Sequence, residues 1–244
     1  MARQSGGLRA VPHILHSLVL IIWIIVSVIT YGFCCIVTGI FSKMLAQIIG
    51  SAWNRHLLWL AGITIRVIGR EKLKSNTCYV FFSNHQSALD IPILYAAIRY
   101  PLVFIAKKEL FWIPIMGWGM KAMGHIVLDR SSPRKARGAL NLAVRRLKKS
   151  RLSLVLFPEG TRSADGKLGD FKQGSFALAL EAGVSVVPVV IEKANERLPK
   201  KGVMIKSGTV FVTIGDPIDA KGMEKGELCA KVRSEIEKVI RVGK

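Results

Sequence analysis

The sequence predicts an α/β fold, a single domain with a central, mostly parallel β-sheet flanked by helices, preceded by an N-terminal hydrophobic helical membrane anchor. Two observations predict it. Residues 17–41, SLVLIIWIIVSVITYGFCCIVTGIF, contain no charged side chain. After Arg66, short apolar runs alternate with segments of helical periodicity. We therefore divide the chain into an anchor at residues 1–65 and an α/β domain at residues 66–244.

The apolar run is long enough to cross a bilayer, because a helix rises about 1.5 Å per residue and the hydrocarbon core is about 30 Å thick. Gly32 and Gly39 are expected to interrupt it, and a more amphipathic stretch follows at residues 44–65. A single transmembrane span and a helical hairpin lying in one leaflet both fit this pattern. A cleaved signal peptide fits less well, because no small-residue cleavage site follows the run.

The α/β domain is expected to contain six strands and five helices. The strands are predicted at residues 78–83, 102–106, 125–128, 152–157, 184–191 and 209–214. The helices are predicted at residues 89–98, 113–123, 133–149, 174–182 and 226–242. Pro133 suits the first turn of the third helix, with Ser131 or Ser132 as its N-cap. Strands that alternate with helices in this way are typical of a parallel sheet.

The net charge of +20, with 36 Lys and Arg against 16 Asp and Glu, predicts an anionic partner. Nucleic acid, a phospholipid surface and an acidic substrate carrier all qualify. The apolar N-terminus favours anionic membrane lipid and argues against nucleic acid. Residues 133–149 concentrate basic side chains on one helix face, which can be a solvated face, press against anionic headgroups or receive an acidic carrier protein.

The four cysteines, at positions 34, 35, 78 and 229, have no spacing typical of a metal site. We expect reduced thiols, no metal and no cofactor. Reduced thiols are typical of a catalytic face in the cytoplasm.

The segment NHQSALD, residues 84–90, follows the apolar run CYVFF at the expected end of a strand. If the next helix begins near Asp90, with Pro92 in its first turn, His85 lies in the strand-to-helix turn, where open α/β sheets build their sites. We predict that His85 is a general base whose tautomer and orientation are set by Asp90. The alternative is that Asp90 only caps the helix. No Gly-x-Ser-x-Gly motif occurs, so the activated oxygen is expected to be the substrate's own hydroxyl.

A second polar segment, LFPEGTRS at residues 156–163, also follows a predicted strand. It contains a carboxylate, two hydroxyls and a guanidinium whose fork of donors suits a phosphate. An ordinary surface turn would have the same composition. Lys107, which follows the predicted strand at residues 102–106, can supply a second positive charge. The candidate substrate-binding residues are Lys107, Glu159, Gly160, Thr161 and Arg162.

Four segments stand in the order and spacing of the blocks of a known family: NHQSALD, AKKELFWIPIMGWGMKAMGHIVLDR, FPEGTRS and VVPVVI. Over about residues 75–195 the sequence resembles the glycerolipid acyltransferases, most closely the bacterial 1-acyl-glycerol-3-phosphate (lysophosphatidic acid) acyltransferases. The resemblance implies a mostly parallel sheet flanked by helices. It also implies transfer of a fatty acyl group from acyl carrier protein or acyl-coenzyme A to the sn-2 hydroxyl of lysophosphatidic acid, which forms phosphatidic acid in phospholipid biosynthesis.

The same resemblance implies roles for single residues. His85 matches the catalytic base and Asp90 its orienting carboxylate. Glu159, Gly160 and Arg162 match the block that binds the glycerol phosphate, and Lys107 resembles the basic residue of the second block. The expected location is the cell membrane, here a bacterial inner membrane, with the catalytic domain on its cytoplasmic face.

Two other functions remain open. A related acyltransferase could use glycerol-3-phosphate, dihydroxyacetone phosphate or another lysophospholipid as acceptor. A non-catalytic membrane scaffold that binds anionic lipid or nucleic acid would explain the charge and the apolar N-terminus. It would not explain why His85, Asp90, Glu159 and Arg162 fall at predicted strand ends.

Overall fold

The computed structural model describes residues 7–149 and 152–242, and the described chain contains one seven-stranded sheet. The strands are β1 (Ile63–Ile68), β2 (Val80–Ser83), β3 (Leu102–Lys107), β4 (Ile126–Leu128), β5 (Ser153–Leu156), β6 (Val186–Glu192) and β7 (Gly208–Ile214). Their order across the sheet is β1-β7-β6-β2-β5-β3-β4. Every neighbouring pair is parallel except β6 and β7. The prediction of a mostly parallel sheet is therefore confirmed.

Helices cover both faces of this sheet. They are α1 (Gly7–Phe41), α2 (Lys43–Leu60), α3 (Asp90–Ile98), α4 (Met116–Ala122), α5 (Pro133–Lys149), α6 (Gly174–Ala182), α7 (Ala194–Arg197) and α8 (Lys225–Val242), with short 3-10 helices at Arg70–Lys72 and Lys108–Trp112. One apolar cluster joins α1, α2 and α3 to one face. A second cluster joins α5, α6 and α8 to the other face. The sheet thus lies between two layers of helices, as expected for strands that are buried on both sides.

Each of the six strands and five helices predicted after residue 78 is present, with ends shifted by at most three residues. The third predicted helix begins at Pro133 as expected. Ser132 is its cap, since its hydroxyl accepts a hydrogen bond from the Lys135 N–H at 3.3 Å. Proline at the first position and a serine before it both favour a helix start at this point.

The N-terminal segment forms two antiparallel helices that begin and end at positions the sequence did not indicate. Gly32 and Gly39 were expected to interrupt the apolar run, but α1 continues through both. The break comes at Ser42, whose hydroxyl accepts from the Leu45 N–H at 3.4 Å and caps α2. Within the described residues, the segment Ile21–Phe41 of α1 is long and apolar enough to cross a membrane, by length and composition alone.

The two glycines allow close helix packing instead. A Cβ atom at Gly32 would lie 2.7 Å from Cγ2 of Ile115, and one at Gly39 would lie 2.6 Å from Cβ of Ala122. Both distances are well inside van der Waals contact. The absence of a side chain therefore lets α1 pack directly on α4 and on the residue that precedes it.

Helix α2 is joined to the sheet by a buried amide. Gln47 donates a hydrogen bond to the Leu102 carbonyl at 2.9 Å and accepts one from the Leu102 N–H at 3.2 Å. A buried amide that satisfies both backbone groups at the start of β3 fixes α2 against the sheet. The N-terminal helices are thus part of the same packed body as the α/β domain.

One strand was not predicted. The second stretch was expected to be amphipathic through residue 65, but α2 ends at Leu60 and β1 begins at Ile63. A turn at Gly62, with φ +64°, separates the two elements. β1 pairs in parallel with β7, which lies near the other end of the chain. The strand therefore depends on a distant partner.

Candidate active site

The carboxyl ends of four neighbouring parallel strands build one cleft. β2, β5, β3 and β4 lie side by side in this order, so the segments that follow them meet at one edge of the sheet. His85 follows β2, Lys107 ends β3 and Arg130 follows β4, while the loop at residues 157–163 follows β5. The cleft has a volume of about 880 Å³. It brings together the two segments in which the sequence predicted chemistry.

His85 and Asp90 form the predicted pair. The Nδ1 atom of His85 lies 2.7 Å from Oδ2 of Asp90, which is the first residue of α3 and is fully buried. A carboxylate oxygen only accepts, so Nδ1 carries the proton and Nε2 is left as the basic nitrogen of the neutral ring. The His85 side chain is 19% exposed and lines the cleft. The ring can therefore accept a proton from a group bound there.

Asp90 also shapes the turn that holds His85. Its Oδ2 accepts the N–H groups of Gln86 at 2.7 Å and Ser87 at 2.9 Å, in addition to the His85 ring. The two interpretations of Asp90, a partner of His85 and an acceptor of backbone N–H groups, thus describe one carboxylate. Three donors thus meet at one oxygen of a side chain that has no access to water.

The loop after β5 holds His85 from three directions. The ring of Phe157 stacks on the imidazole, with centroids 4.0 Å apart and planes inclined by 16°. The His85 N–H donates to Oε1 of Glu159 at 2.8 Å, and the His85 carbonyl accepts from the Ser163 N–H at 2.7 Å. The two predicted segments therefore support each other, and the position of the imidazole depends on both.

Glu159 connects two turns. Its Oε2 accepts the Gly169 N–H at 2.9 Å while its Oε1 accepts the His85 N–H, and the residue is 6% exposed. Both carboxylate oxygens are thus engaged by backbone donors. Of the described residues in this loop, Phe157, Gly160, Thr161 and Arg162 line the cleft, whereas Glu159 does not.

Gly160 is required by the shape of the turn. Its φ of +70° lies in the left-handed region, which favours glycine. A Cβ atom there would also lie 2.9 Å from Nζ of Lys172. The Gly160 carbonyl accepts a hydrogen bond from Nη2 of Arg130 at 3.5 Å, which links the loop to the end of β4.

The charged residues that line the cleft are mostly cations. The side chains of Lys107 and Arg162, both predicted, have no hydrogen bond or ion pair with another residue in the described part of the chain. Lys108, in contrast, lies 3.3 Å from Oδ1 of Asp129. Hydrogen bonds from Ser131 hold the pKa of Asp129 well below its ordinary value, so this carboxylate is ionised. Lys107 and Arg162 thus remain available to an anion.

Two further cations in the cleft, Arg130 and Lys200, were not among the predicted site residues. The sequence could have indicated Arg130, because it comes just after β4 in the way that Lys107 comes at the end of β3. Lys200 lies in the loop between α7 and β7, and no motif marks it. Only the folded chain brings it to the cleft.

Most of the rest of the cleft wall is apolar, although the carboxylate of Glu109 also lines it. The apolar part is formed by side chains from α3, β3, β4, β5 and α5: Ile91, Phe104, Ile105, Leu128, Leu140, Val155 and Leu156. A cleft that is lined both by cations and by apolar side chains fits an amphipathic anion with a hydrocarbon chain. Among the described residues, no group of three or more His, Cys, Asp or Glu side chains is arranged to hold a metal ion.

Comparisons with known proteins show the family to which this chain belongs. The crystal structure of the 1-acyl-sn-glycerophosphate (LPA) acyltransferase PlsC from Thermotoga maritima superposes with a TM-score of 0.85 at 27% identity, over 96% of both chains. The chloroplastic 1-acyl-sn-glycerol-3-phosphate acyltransferase of Arabidopsis thaliana is 41% identical over 70% of this chain. The enzyme of the same name from Escherichia coli is 34% identical over 66% of this chain.

The chain spans 48% of the length of the Arabidopsis protein and 66% of the E. coli protein. The 1-acyl-sn-glycerol-3-phosphate acyltransferase of Saccharomyces cerevisiae is 35% identical over 82% of this chain, which covers 67% of the yeast protein. A family model described as Acyltransferase matches residues 64–192, more than half of the sequence. The chain therefore belongs to the acyltransferase family.

Proposed function

We propose that this protein transfers a fatty acyl group from an acyl thioester to the sn-2 hydroxyl of 1-acyl-glycerol-3-phosphate, which yields phosphatidic acid. The observation that carries the proposal is the His85–Asp90 pair, joined at 2.7 Å, in a cleft that also contains unpaired cations and apolar side chains. The names of the relatives from yeast, E. coli and Arabidopsis support the same acceptor.

His85 acts as the general base. Its Nε2 removes the proton of the acceptor hydroxyl while the hydroxyl oxygen forms a bond to the thioester carbonyl carbon. Asp90 stabilises the imidazolium that results and keeps the ring in place. When the tetrahedral intermediate collapses, the carbon–sulfur bond breaks, and the leaving thiolate takes the proton from His85. No covalent acyl-enzyme is needed, because the substrate itself supplies the nucleophile.

Backbone donors of the loop after β5 stabilise the oxyanion. The N–H groups of Thr161 and Arg162 have no acceptor within the described chain, and both residues line the cleft. Donors that are already oriented where negative charge develops lower the barrier most in a site that excludes water. Thr161 therefore contributes its backbone here.

Lys107 and Arg162 bind the phosphate of the acceptor, because both are cations of the cleft without a protein partner. The planar guanidinium of Arg162 suits a bidentate contact with phosphate oxygens. Glu159 and Gly160 position this loop. The apolar wall favours an acceptor that carries its own acyl chain over glycerol-3-phosphate.

Helices α1 and α2 hold the enzyme at the membrane, with the α/β domain on the cytoplasmic face. The outer surface of α1 exposes large apolar side chains, including Phe33 at 63%, Ile40 at 76% and Phe41 at 82%. The short helix after Lys107 exposes Trp112 at 69% and lies beside α4, which packs on α1. Exposed tryptophan is typical of a membrane interface. The acceptor lipid thus reaches the cleft without leaving the bilayer surface.

The test is acyl transfer by the full-length protein in lipid vesicles that contain 1-acyl-glycerol-3-phosphate, with product identified by mass spectrometry. The wild type is expected to form phosphatidic acid. His85→Ala is expected to lose roughly 10²- to 10⁴-fold in kcat. His56→Ala, which removes an imidazole of α2 outside the cleft, is the matched control and should retain activity. Product formed only from glycerol-3-phosphate would show that glycerol-3-phosphate, and not its 1-acyl derivative, is the acceptor. The absence of acyl transfer to any acceptor would refute the proposal.

A further inference from the structure

The outward face of α5 carries a row of positive charge. We define the α5 row as Arg134, Arg137, Arg145, Lys148 and Lys149, all of which are exposed. The opposite side of the helix is buried. The sequence of α5, PRKARGALNLAVRRLKK, contains no acidic residue. At 1.5 Å per residue the row extends for about 22 Å.

Not every basic residue of α5 belongs to the row. Arg146 turns inward and donates to the Gly124 carbonyl. Lys135 lies 3.3 Å from Oδ2 of Asp129. The five residues of the α5 row have no ion pair within the described chain. Their charge is therefore not neutralised by the protein.

Helix α5 packs on the face of the sheet opposite to the apolar N-terminal helices. α1 and α2 belong to the apolar cluster on one face of the sheet, and α5 belongs to the cluster on the other face. The N-terminal helices and α5 thus lie on opposite sides of the sheet. A helix that bound anionic headgroups would be expected on the same side as the apolar surface. The position of the α5 row therefore favours a partner from solution.

The helix that carries the α5 row borders the cleft. Leu140, on the same helix, lines the cleft, and Arg130, which precedes the helix, lines it as well. Asp129 connects the start of α5 to the short helix Lys108–Trp112, because it lies 3.3 Å from both Lys135 and Lys108. A partner bound along α5 would therefore reach the cleft from its rim.

We propose that the α5 row is the docking surface for a soluble acidic protein that carries the acyl group as a thioester. The inference rests on the proposed acyl transfer and names its donor. An acidic helix laid along α5 would face the whole row, whereas the phosphates of a small-molecule thioester such as acyl-coenzyme A would contact only part of it. Opposite charge on the two surfaces accelerates encounter and sets orientation.

The experiment compares two donors on the same protein. Full-length enzyme in vesicles with 1-acyl-glycerol-3-phosphate is assayed with palmitoyl–acyl carrier protein and with palmitoyl-coenzyme A. The variant is the double substitution Arg137→Glu and Arg145→Glu. The matched control is Lys225→Glu with Lys231→Glu, two exposed lysines of α8 with the same change in charge.

The α5 variant is expected to raise KM for the carrier-protein donor about tenfold or more, because electrostatic steering contributes roughly 10- to 10³-fold to encounter rates. Its KM for palmitoyl-coenzyme A should stay within about twofold, which also shows that the variant is folded. The α8 control should resemble the wild type with both donors. Raising the salt concentration should weaken use of the carrier protein in the wild type and less so in the variant.

Three results would overturn the inference. The first is that the wild type uses palmitoyl-coenzyme A but not the carrier-protein donor. The second is that KM for the carrier-protein donor is unchanged in the α5 variant. The third is that KM rises equally for both donors in this variant. Each of these leaves the proposed acyl transfer in place. Only a wild type that forms no product from either donor would remove the proposed function itself.

Discussion

Replacing Glu159 with Gln tests whether this side chain builds the site or binds the substrate. The carboxylate accepts the His85 N–H at 2.8 Å and the Gly169 N–H at 2.9 Å, and the residue is 6% exposed. An amide keeps one acceptor oxygen and presents an NH₂ group to the other donor. One buried N–H then loses its acceptor, which lowers the free energy of unfolding by about 1–3 kcal/mol, and the remaining hydrogen bond is no longer made to a charged group.

The expected loss of stability in E159Q is about 3 kcal/mol. For a chain of this size, that corresponds to a fall in Tm of roughly 6–12 °C. Because the lost contact positions the backbone of His85, kcat should also fall, by roughly 10- to 100-fold for a displacement of about 1 Å. KM for 1-acyl-glycerol-3-phosphate should change less than about threefold, since both carboxylate oxygens already have protein partners.

The assay is a thermal unfolding scan in detergent together with steady-state kinetics in vesicles. Glu181→Gln, at an exposed position of α6, is the matched control and should alter neither Tm nor kcat. The reasoning would be refuted if E159Q retained the wild-type Tm and kcat while KM for the acceptor rose tenfold or more. In that case Glu159 would bind the substrate, as the resemblance to the family implies.

Three more predictions follow from the same structure. Arg162→Ala should raise KM for 1-acyl-glycerol-3-phosphate roughly 10- to 100-fold without lowering Tm, since a charge-assisted contact contributes about 1.5–3 kcal/mol. Arg162→Lys should recover only part of the lost affinity. An unchanged KM in Arg162→Ala would contradict this role. Burial lowers the pKa of His125 from 6.5 to about 4, so the unfolded chain binds a proton in this interval that the folded chain does not. Stability should be complete above about pH 6.5 and fall by about 3 kcal/mol as the pH decreases to 4, and unfolding of His125→Gln at several pH values should lack this component. Gly39→Leu should separate α1 from Ala122 and lower stability by about 1–3 kcal/mol. Gly138→Ala should not lower stability, because nothing lies within 4 Å of a Cβ atom added there. Equal Tm values for the two variants would argue against close packing of α1 at Gly39.

The elements that the sequence predicted well are those with local signals. Helix α5 begins at Pro133 after the cap Ser132 and ends at Lys149, as expected from its apolar period and its first turn. Helix α3 begins at Asp90, where Pro92 allows a helix to start. These signals lie within a few residues of the boundary they set, so no distant contact is needed to read them.

The elements that the sequence did not predict depend on distant partners. β1 pairs with β7, and nothing within the segment ITIRVI distinguishes this strand from the end of an amphipathic helix. Gly32 and Gly39 read as helix breakers, yet they lie where α1 meets α4. A glycine is tolerated in a helix when packing offsets its cost of about 1 kcal/mol, and packing is a tertiary property.

The residues of the candidate site also divide into those with a local sequence signal and those that depend on distant contacts. His85, Asp90, Lys107 and Arg162 could be identified from the sequence because each follows a strand or occupies the turn after it. Arg130 and Lys200 required the folded cleft. The atoms that Glu159 contacts could not be read from its motif, because His85 and Gly169 come to it from separate segments.

The sequence by itself determined that the chain is an α/β protein with an apolar helical N-terminus, and it determined which polar residues stand at strand ends. These properties depend on periodicity, capping and residue type, which act over a few positions. Only the tertiary structure decided that four parallel strands lie side by side, that Glu159 holds the turn that carries His85, and that α5 lies on the opposite side of the sheet from α1. These arrangements depend on strand order and on packing between distant segments, and a local pattern carries no record of either.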